Sequence, residues 1–207
     1  MKTLVTGGAG FIGSNFVNYL LRDEKISQEI SKITVLDKLT YAGNLRNLDK
    51  LTNNTKFEFQ LGDINDKKLL CTLIEKCDWI INFAAETHVD RSITNPDNFI
   101  YSNINGTYNL IKICNELRNK NFLQISTDEV YGSIYEGSAS ENAPLNPSSP
   151  YSSSKASADL IVKSFVKTHG IHAIITRCSN NYGLNQNNEK MIPTIIQNIS
   201  RDLPIPV

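Results

Sequence analysis

The run Thr6-Gly7-Gly8-Ala9-Gly10-Phe11-Ile12-Gly13 constrains the fold of this chain more than any other feature. It follows a short apolar stretch and precedes a segment in which Phe16, Tyr19 and Leu20 recur at helical spacing. Strand, glycine turn and helix in that order reverse the chain sharply, let a pyrophosphate approach the backbone and let the helix pack closely on the sheet. Free N–H groups at the helix start then offer a positive pole to phosphates. The motif gains its meaning from an acidic residue closing the next strand, and Asp37 holds that place. Its carboxylate can accept from adenosine ribose hydroxyls and would repel a 2′-phosphate, which favours NAD over NADP, although Lys38 beside it softens the contrast. Asp63, in Gly62-Asp63-Ile64, is placed to reach the adenine end, or equally to act as a turn residue or helix cap.

Strand-like and helix-like stretches alternate along the whole chain. Strands are expected at 3–6, 33–37, 56–60, 79–84, 122–126 and 173–177, with helical spacing at Leu69, Leu70, Leu73 and Ile74 and again at Leu110, Ile111 and Cys114. Right-handed crossovers then give an α/β fold, a doubly wound parallel sheet of the Rossmann type. The least regular segment, Gly132 to Pro150, is rich in Ser, Asn, Gly and Pro; so long an excursion inside a compact domain points to function or disorder. No internal repeat is present.

Lys plus Arg and Asp plus Glu both number 21 in 207 residues. No net field draws the chain to nucleic acid or an anionic membrane, so an anionic ligand must be held by local geometry. No apolar run reaches transmembrane length and no leader pattern opens the chain, which reads as cytoplasmic. Cys71, Cys77, Cys114 and Cys178 lack metal or disulfide spacing and read as small buried apolar residues; no metal site is expected.

Tyr151 and Lys155 stand four apart at the start of a predicted helix, so both project from one face. An ammonium beside a phenol favours phenolate and draws its pKa down from about 10, fitting it to take a proton from a hydroxyl. The run Ser126-Thr127-Asp128-Glu129-Val130-Tyr131-Gly132 lies at the C-terminal end of the fifth strand, the edge where doubly wound sheets bind ligands. Its two adjacent carboxyls can divide acid and base roles if their surroundings push their pKa values apart; a polar loop with a capped turn is the plainer reading.

TGGAGFIGS at the start, LDKLTYAGN around Asp37, GDI at Gly62, NFAAETHVDRSI from Asn82, STDEVYG from Ser126, PSSPYSSSKASAD around Tyr151 and RCSNNYG from Arg177 together resemble the extended short-chain dehydrogenase/reductases. Asp128-Glu129 after Thr127 is similar to the sugar-nucleotide dehydratases among them rather than the epimerases. The resemblance implies resident NAD and a small-molecule sugar nucleotide, dTDP-glucose, as substrate. It implies that Tyr151, with Thr127 and Lys155, removes the proton of the sugar 4-hydroxyl, that Glu129 takes the carbon 5 proton, and that Asp128 protonates the departing carbon 6 hydroxyl. Cofactor contacts implied are Gly7, Gly10, Phe11, Ile12, Gly13, Asp37, Lys38, Thr40, Asp63, Ile64, Phe83, Ala84, Ala85, Thr87, Ser102, Tyr151, Lys155 and Asn180. Substrate contacts implied are Thr87, Thr127, Asp128, Glu129, Asn181 and Lys190. His88 is expected to be a hydrogen-bonded structural residue, while His169 and His172 show no partner in the sequence.

Family members pair as homodimers through two helices each, which here implicates Pro96 to Leu117 and Tyr151 to Thr168; deoxysugar biosynthesis such as a rhamnose pathway is the implied setting. The segment 183–190 keeps the glycine, the Gln and the Glu-Lys pair but lacks the family's prolines and aromatics. Residues 1–180 are expected to form the NAD-binding domain with its catalytic residues, and 181–207 only the beginning of a C-terminal substrate lobe. Two alternatives stay open: another NAD-dependent sugar-nucleotide dehydratase or epimerase, and a non-catalytic NAD-binding fragment.

Overall fold

In a computed structural model, which describes residues 1–205, six parallel strands form one sheet in the order β3-β2-β1-β4-β5-β6. The strands are β1 (Lys2–Thr6), β2 (Lys32–Asp37), β3 (Phe57–Leu61), β4 (Trp79–Asn82), β5 (Asn121–Thr127) and β6 (His172–Cys178). The helices are α1 (Phe11–Arg22), α2 (Glu24–Glu29), α3 (Lys67–Glu75), α4 (Val89–Thr94), the single turn α5 (Asp97–Phe99), α6 (Thr107–Leu117), α7 (Pro150–His169) and α8 (Met191–Ser200). A π-helical segment, Ile100–Gly106, joins α5 to α6. This is the doubly wound sheet, and its strand order reverses between β1 and β4, where a crevice opens at the C-terminal edge.

Side-chain alternation builds a core on each face of the sheet. Leu4, Leu36, Ile80 and Phe122 pack with Leu70, Ile74, Leu110, Ile111 and Val162 from α3, α6 and α7. Val5, Ile33, Val35 and Ile81 pack with Val17 and Leu21 of α1 on the other face. Of the helical pattern read at Phe16, Tyr19 and Leu20, Phe16 and Leu20 pack against this core beside the buried Val17 and Leu21, while Tyr19 is exposed.

Beneath the crevice, polar groups are buried but paired. The Thr6 hydroxyl donates to Asn82 Oδ1 at 2.7 Å, and Asn82 Nδ2 donates to Gln124 Oε1 at 2.9 Å and Thr107 Oγ1 at 3.2 Å. This satisfied network ties β1, β4, β5 and α6 together where an unpaired amide would be costly.

Three expectations are corrected. The fourth strand ends at Asn82 rather than Ala84: the Phe83 N–H still pairs with the Thr6 carbonyl, and beyond it β1 has turned away at Gly7 and offers no ladder partner. Cys71 is exposed and Cys178 only half-buried, so the reading of all four cysteines as core residues holds for Cys77 and Cys114 alone. Burial pushes those two thiols up, to about 11 and about 12. His172, which shows no partner in the sequence, has its Nδ1 2.7 Å from Asn121 Oδ1. The segment 132–149 holds no helix or strand, and of the expected C-terminal region 181–207, positions 206 and 207 lie outside the described residues.

Gly7 and Gly137 separate backbone strain from close packing. Both have positive φ, +69° and +81°, but a Cβ at Gly7 would stand 2.5 Å from the Ala84 nitrogen, whereas one at Gly137 meets nothing within 4 Å. Gly137→Ala should cost about 1 kcal/mol, and Gly7→Ala about 2–4 kcal/mol, lowering Tm by roughly 10 °C. Thermal unfolding of the two variants checks this; equal losses would show that the contact with Ala84 contributes nothing.

Candidate active site

The glycine turn places α1 with its N-terminus facing the crevice. The Gly7 N–H donates to the Leu36 carbonyl at 2.8 Å, and the left-handed Gly7 then aims the chain into α1. A Cβ at Gly13 would meet the Gly7 carbonyl oxygen at 2.5 Å, so the helix can sit this close only with glycine there. No side chain caps α1 and its first turn holds no acidic residue, leaving the helix's positive end uncompensated.

A cleft of about 530 Å³ extends from this turn along the C-terminal edges of β1, β4 and β5. It is lined by every residue expected to contact cofactor or substrate except Asp128. Glycines 7, 10 and 13 with Phe11 and Ile12 form one wall; Asp37, Lys38, Thr40, Asp63 and Ile64 form the end beyond β2 and β3. Phe83, Ala84, Ala85, Thr87 and Ser102 line the middle, and Thr127, Glu129, Tyr151, Lys155, Asn180, Asn181 and Lys190 the opposite end.

At the Asp37 end the carboxylate is already oriented by the backbone. Its Oδ2 accepts from the Ala9 N–H at 2.9 Å and its Oδ1 from the Leu39 N–H at 2.8 Å. Each carboxylate oxygen can accept again. Lys38 Nζ lies 2.7 Å from Asp63 Oδ2. Burial works to raise the Asp63 pKa, but the Lys38 hydrogen bond and the Asn65 N–H outweigh it and hold the carboxyl below its ordinary range. The same hydrogen bond raises Lys38.

At the other end, β5 delivers Thr127 and Glu129, and α7 delivers Tyr151 and Lys155. Glu129 is pushed above the usual carboxylate range by burial and by the Asp128 carboxylate, with Lys190 opposing. Asp128 is exposed: its Oδ1 accepts from the Thr127 hydroxyl at 3.3 Å, and its carboxylate lies off the cleft wall. The expectation that Lys155 draws the Tyr151 phenol toward neutrality is corrected. Burial first, and Glu129 second, push the phenol above its ordinary value, while Thr127 acts in the opposite sense. Lys155 is buried and directs its Nζ at the Ile125 carbonyl, 2.6 Å away; burial lowers its pKa to about 8, with Asp159 opposing.

Several lining residues carried no role in the sequence reading. Glu86, inside NFAAETHVDRSI, is raised by burial against the pull of Arg91 and Lys38, and its backbone is clamped by Asn103, whose Oδ1 accepts from the Glu86 N–H at 2.8 Å. Cys178 lines the cleft and donates weakly to the Ser126 carbonyl at 3.5 Å. Ser126 and Gln186 line it too, and the Ser126 hydroxyl and Gln186 Oε1 are buried without a partner among the described residues. Glu189 meets Arg91 Nη2 at 2.8 Å and His88 Nε2 at 4.0 Å. His88 caps α4, its Nδ1 accepting from the Arg91 N–H at 3.5 Å, the structural role expected of it.

Lys155 gives a pH test. Its folded pKa of about 8 lies below the unfolded value of 10.5, so below about pH 8 both states are protonated and burial of the charge destabilises the fold in full. Between 8 and 10.5 the unfolded chain holds the extra proton and stability rises with pH. Urea unfolding at pH 7.5 and pH 10 should show the wild type gaining stability relative to Lys155→Met; a pH-independent difference would place the Lys155 pKa at its ordinary value.

A family model described as GDP-mannose 4,6 dehydratase matches residues 4–205. A dTDP-glucose 4,6-dehydratase of an Actinoplanes species is 48% identical over the whole chain, which covers 65% of that protein's length. Among solved structures, the dTDP-glucose 4,6-dehydratase DesIV of Streptomyces venezuelae, crystallised with NAD, superposes with a TM-score of 0.94 at 44% identity, covering 98% of this chain and 63% of that one. The UDP-glucuronic acid 4-epimerase of Bacillus cereus, also with NAD, superposes with a TM-score of 0.90 at 28% identity, covering 99% and 65%. The chain thus spans under two thirds of the length of these relatives, and with its fold and nearly its whole sequence matched, it belongs to the GDP-mannose 4,6-dehydratase family.

Proposed function

We propose that this chain carries the cofactor domain and catalytic residues of a dTDP-glucose 4,6-dehydratase, an NAD-dependent lyase that converts dTDP-glucose to dTDP-4-keto-6-deoxyglucose. The observation that carries the reading is that one cleft is lined at once by the glycine turn, Asp37, Thr127, Glu129, Tyr151 and Lys155. The relatives at 44–48% identity that are dTDP-glucose 4,6-dehydratases support it.

NAD fits these residues. The uncapped start of α1 and the Gly7–Gly13 turn suit a pyrophosphate, and a Cβ at Gly10 would meet only the Gly7 oxygen, at 3.3 Å, before entering the cleft. Asp37 suits the adenosine ribose hydroxyls, and the orphaned Ser126 Oγ and Gln186 Oε1 await a polar ligand. Bound there, NAD supplies hydride acceptance and return.

The protein's own part is proton management and positioning. Tyr151 takes the proton of the sugar 4-hydroxyl, with Thr127 beside it. Because burial holds the phenol neutral, that step requires positive charge beyond what Lys155, one helical turn away, already supplies. A 4-ketone acidifies the adjacent carbon, and Glu129, on the cleft wall, takes the carbon 5 proton. Asp128, exposed beside Glu129, protonates the departing carbon 6 hydroxyl. Asn181 and Lys190 hold the nucleotide side of the substrate, and Lys190 offsets the charge near Glu129.

Likeness to a UDP-sugar epimerase at a TM-score of 0.90 keeps a second reading in view, since the fold alone serves both chemistries. Incubation with NAD and dTDP-glucose, following the 4-keto product, separates them. The chain, or a form extended to its relatives' length, should release that product. Tyr151→Phe should lower turnover by about 10²–10⁴-fold with NAD binding kept, and Asp128→Asn should accumulate NADH without loss of water. Epimerised sugar nucleotide in place of the 4-keto product would overturn the dehydratase reading; NAD binding without turnover in either length would support a binding fragment.

A further inference from the structure

The start of α7, which carries Tyr151, presents four backbone positions without intrahelical partners, and the structure shows what becomes of each. The Ser149 N–H donates to Ser152 Oγ at 2.9 Å. Pro150, first in the helix, has no N–H. The Ser152 N–H donates to Ser149 Oγ at 3.0 Å, completing a capping box. The N–H of Tyr151 is left, and its partner comes from 59 residues away: Ser92 Oγ of α4, at 3.1 Å.

Ser92 is 0% exposed and its own proton is committed, donating to the Val89 carbonyl at 2.6 Å. That donation turns an oxygen lone pair toward Tyr151. The hydroxyl is thus both oriented and fixed in a fully buried site, where its loss would leave the Tyr151 N–H without this acceptor. The Phe99 ring meets the Tyr151 ring edge-on at 6.3 Å, and the Tyr151 carbonyl accepts from Ser154 Oγ at 2.7 Å. Ser92 is the contact that sets the height of the tyrosine backbone against α4, while the neighbouring Arg91 reaches Glu189 at the cleft mouth.

We infer that Ser92 is a positioning residue for Tyr151: its hydroxyl holds the tyrosine N–H, and through it the phenol, in register with Thr127 and Glu129. The kinetic consequence rests on the dehydratase reading; the backbone consequence does not.

Two measurements on Ser92→Ala and Ser92→Thr decide it. In Ser92→Ala, amide hydrogen exchange by NMR should speed at Tyr151 by roughly tenfold, with the central-sheet amides of Val5 and Ile81 unchanged. Turnover of dTDP-glucose should fall about tenfold in kcat with KM within about twofold, the split expected when only the reacting geometry is lost. Ser92→Thr, which keeps the hydroxyl, should restore both. Unchanged exchange at Tyr151, equal acceleration in the sheet amides, or an alanine variant that does not fold would each overturn the positioning role. Absence of turnover in the wild type would count against the dehydratase reading, and the exchange result alone would then decide for or against Ser92.

Discussion

The contact between Gly7 and the Phe83–Ala84 peptide is the constraint on which the rest of this structure depends. At the point where the strand order reverses, β1 must leave the sheet in a left-handed turn, and it does so in van der Waals contact with the backbone following β4. Any side chain there would occupy the space of that peptide. β4 ends at Asn82, opposite Thr6 of β1 and Gln124 of β5, and the segment from Phe83 to Thr87 becomes one wall of the cleft. The same turn aims the uncapped end of α1 at the crevice, giving a chain of zero net charge a local positive pole.

Burial then sets the electrostatics of the opposite end. It raises the phenol of Tyr151 and the carboxyl of Glu129 and lowers the ammonium of Lys155, each toward its neutral form. Positioning is supplied by buried polar contacts that are fully paired: Asn103 on the loop after β4, Ser92 on the start of α7, and Asn82 beneath both.

The sheet and most of the cleft were legible in the sequence because they rest on local rules. Strand-like apolar runs placed the strands, and Gly7, Gly10 and Gly13 placed the turn. What escaped depended on contacts distant in sequence. The direction of the Tyr151 shift follows from how deeply α7 is packed, which is not encoded in the spacing of Tyr151 and Lys155. Ser92 and Glu86 lay within a quoted motif, yet only the fold brings one to the tyrosine and the other to the cleft wall.

Calorimetric titration of the chain with NAD and with NADP tests most directly whether this cleft is a dinucleotide site with its ribose end at Asp37. NAD should bind, Asp37→Ala should weaken it by about tenfold or more, and NADP should bind far more weakly, since its 2′-phosphate would face the Asp37 carboxylate. Absence of NAD binding, or NADP binding as tight as NAD, would contradict the assignment.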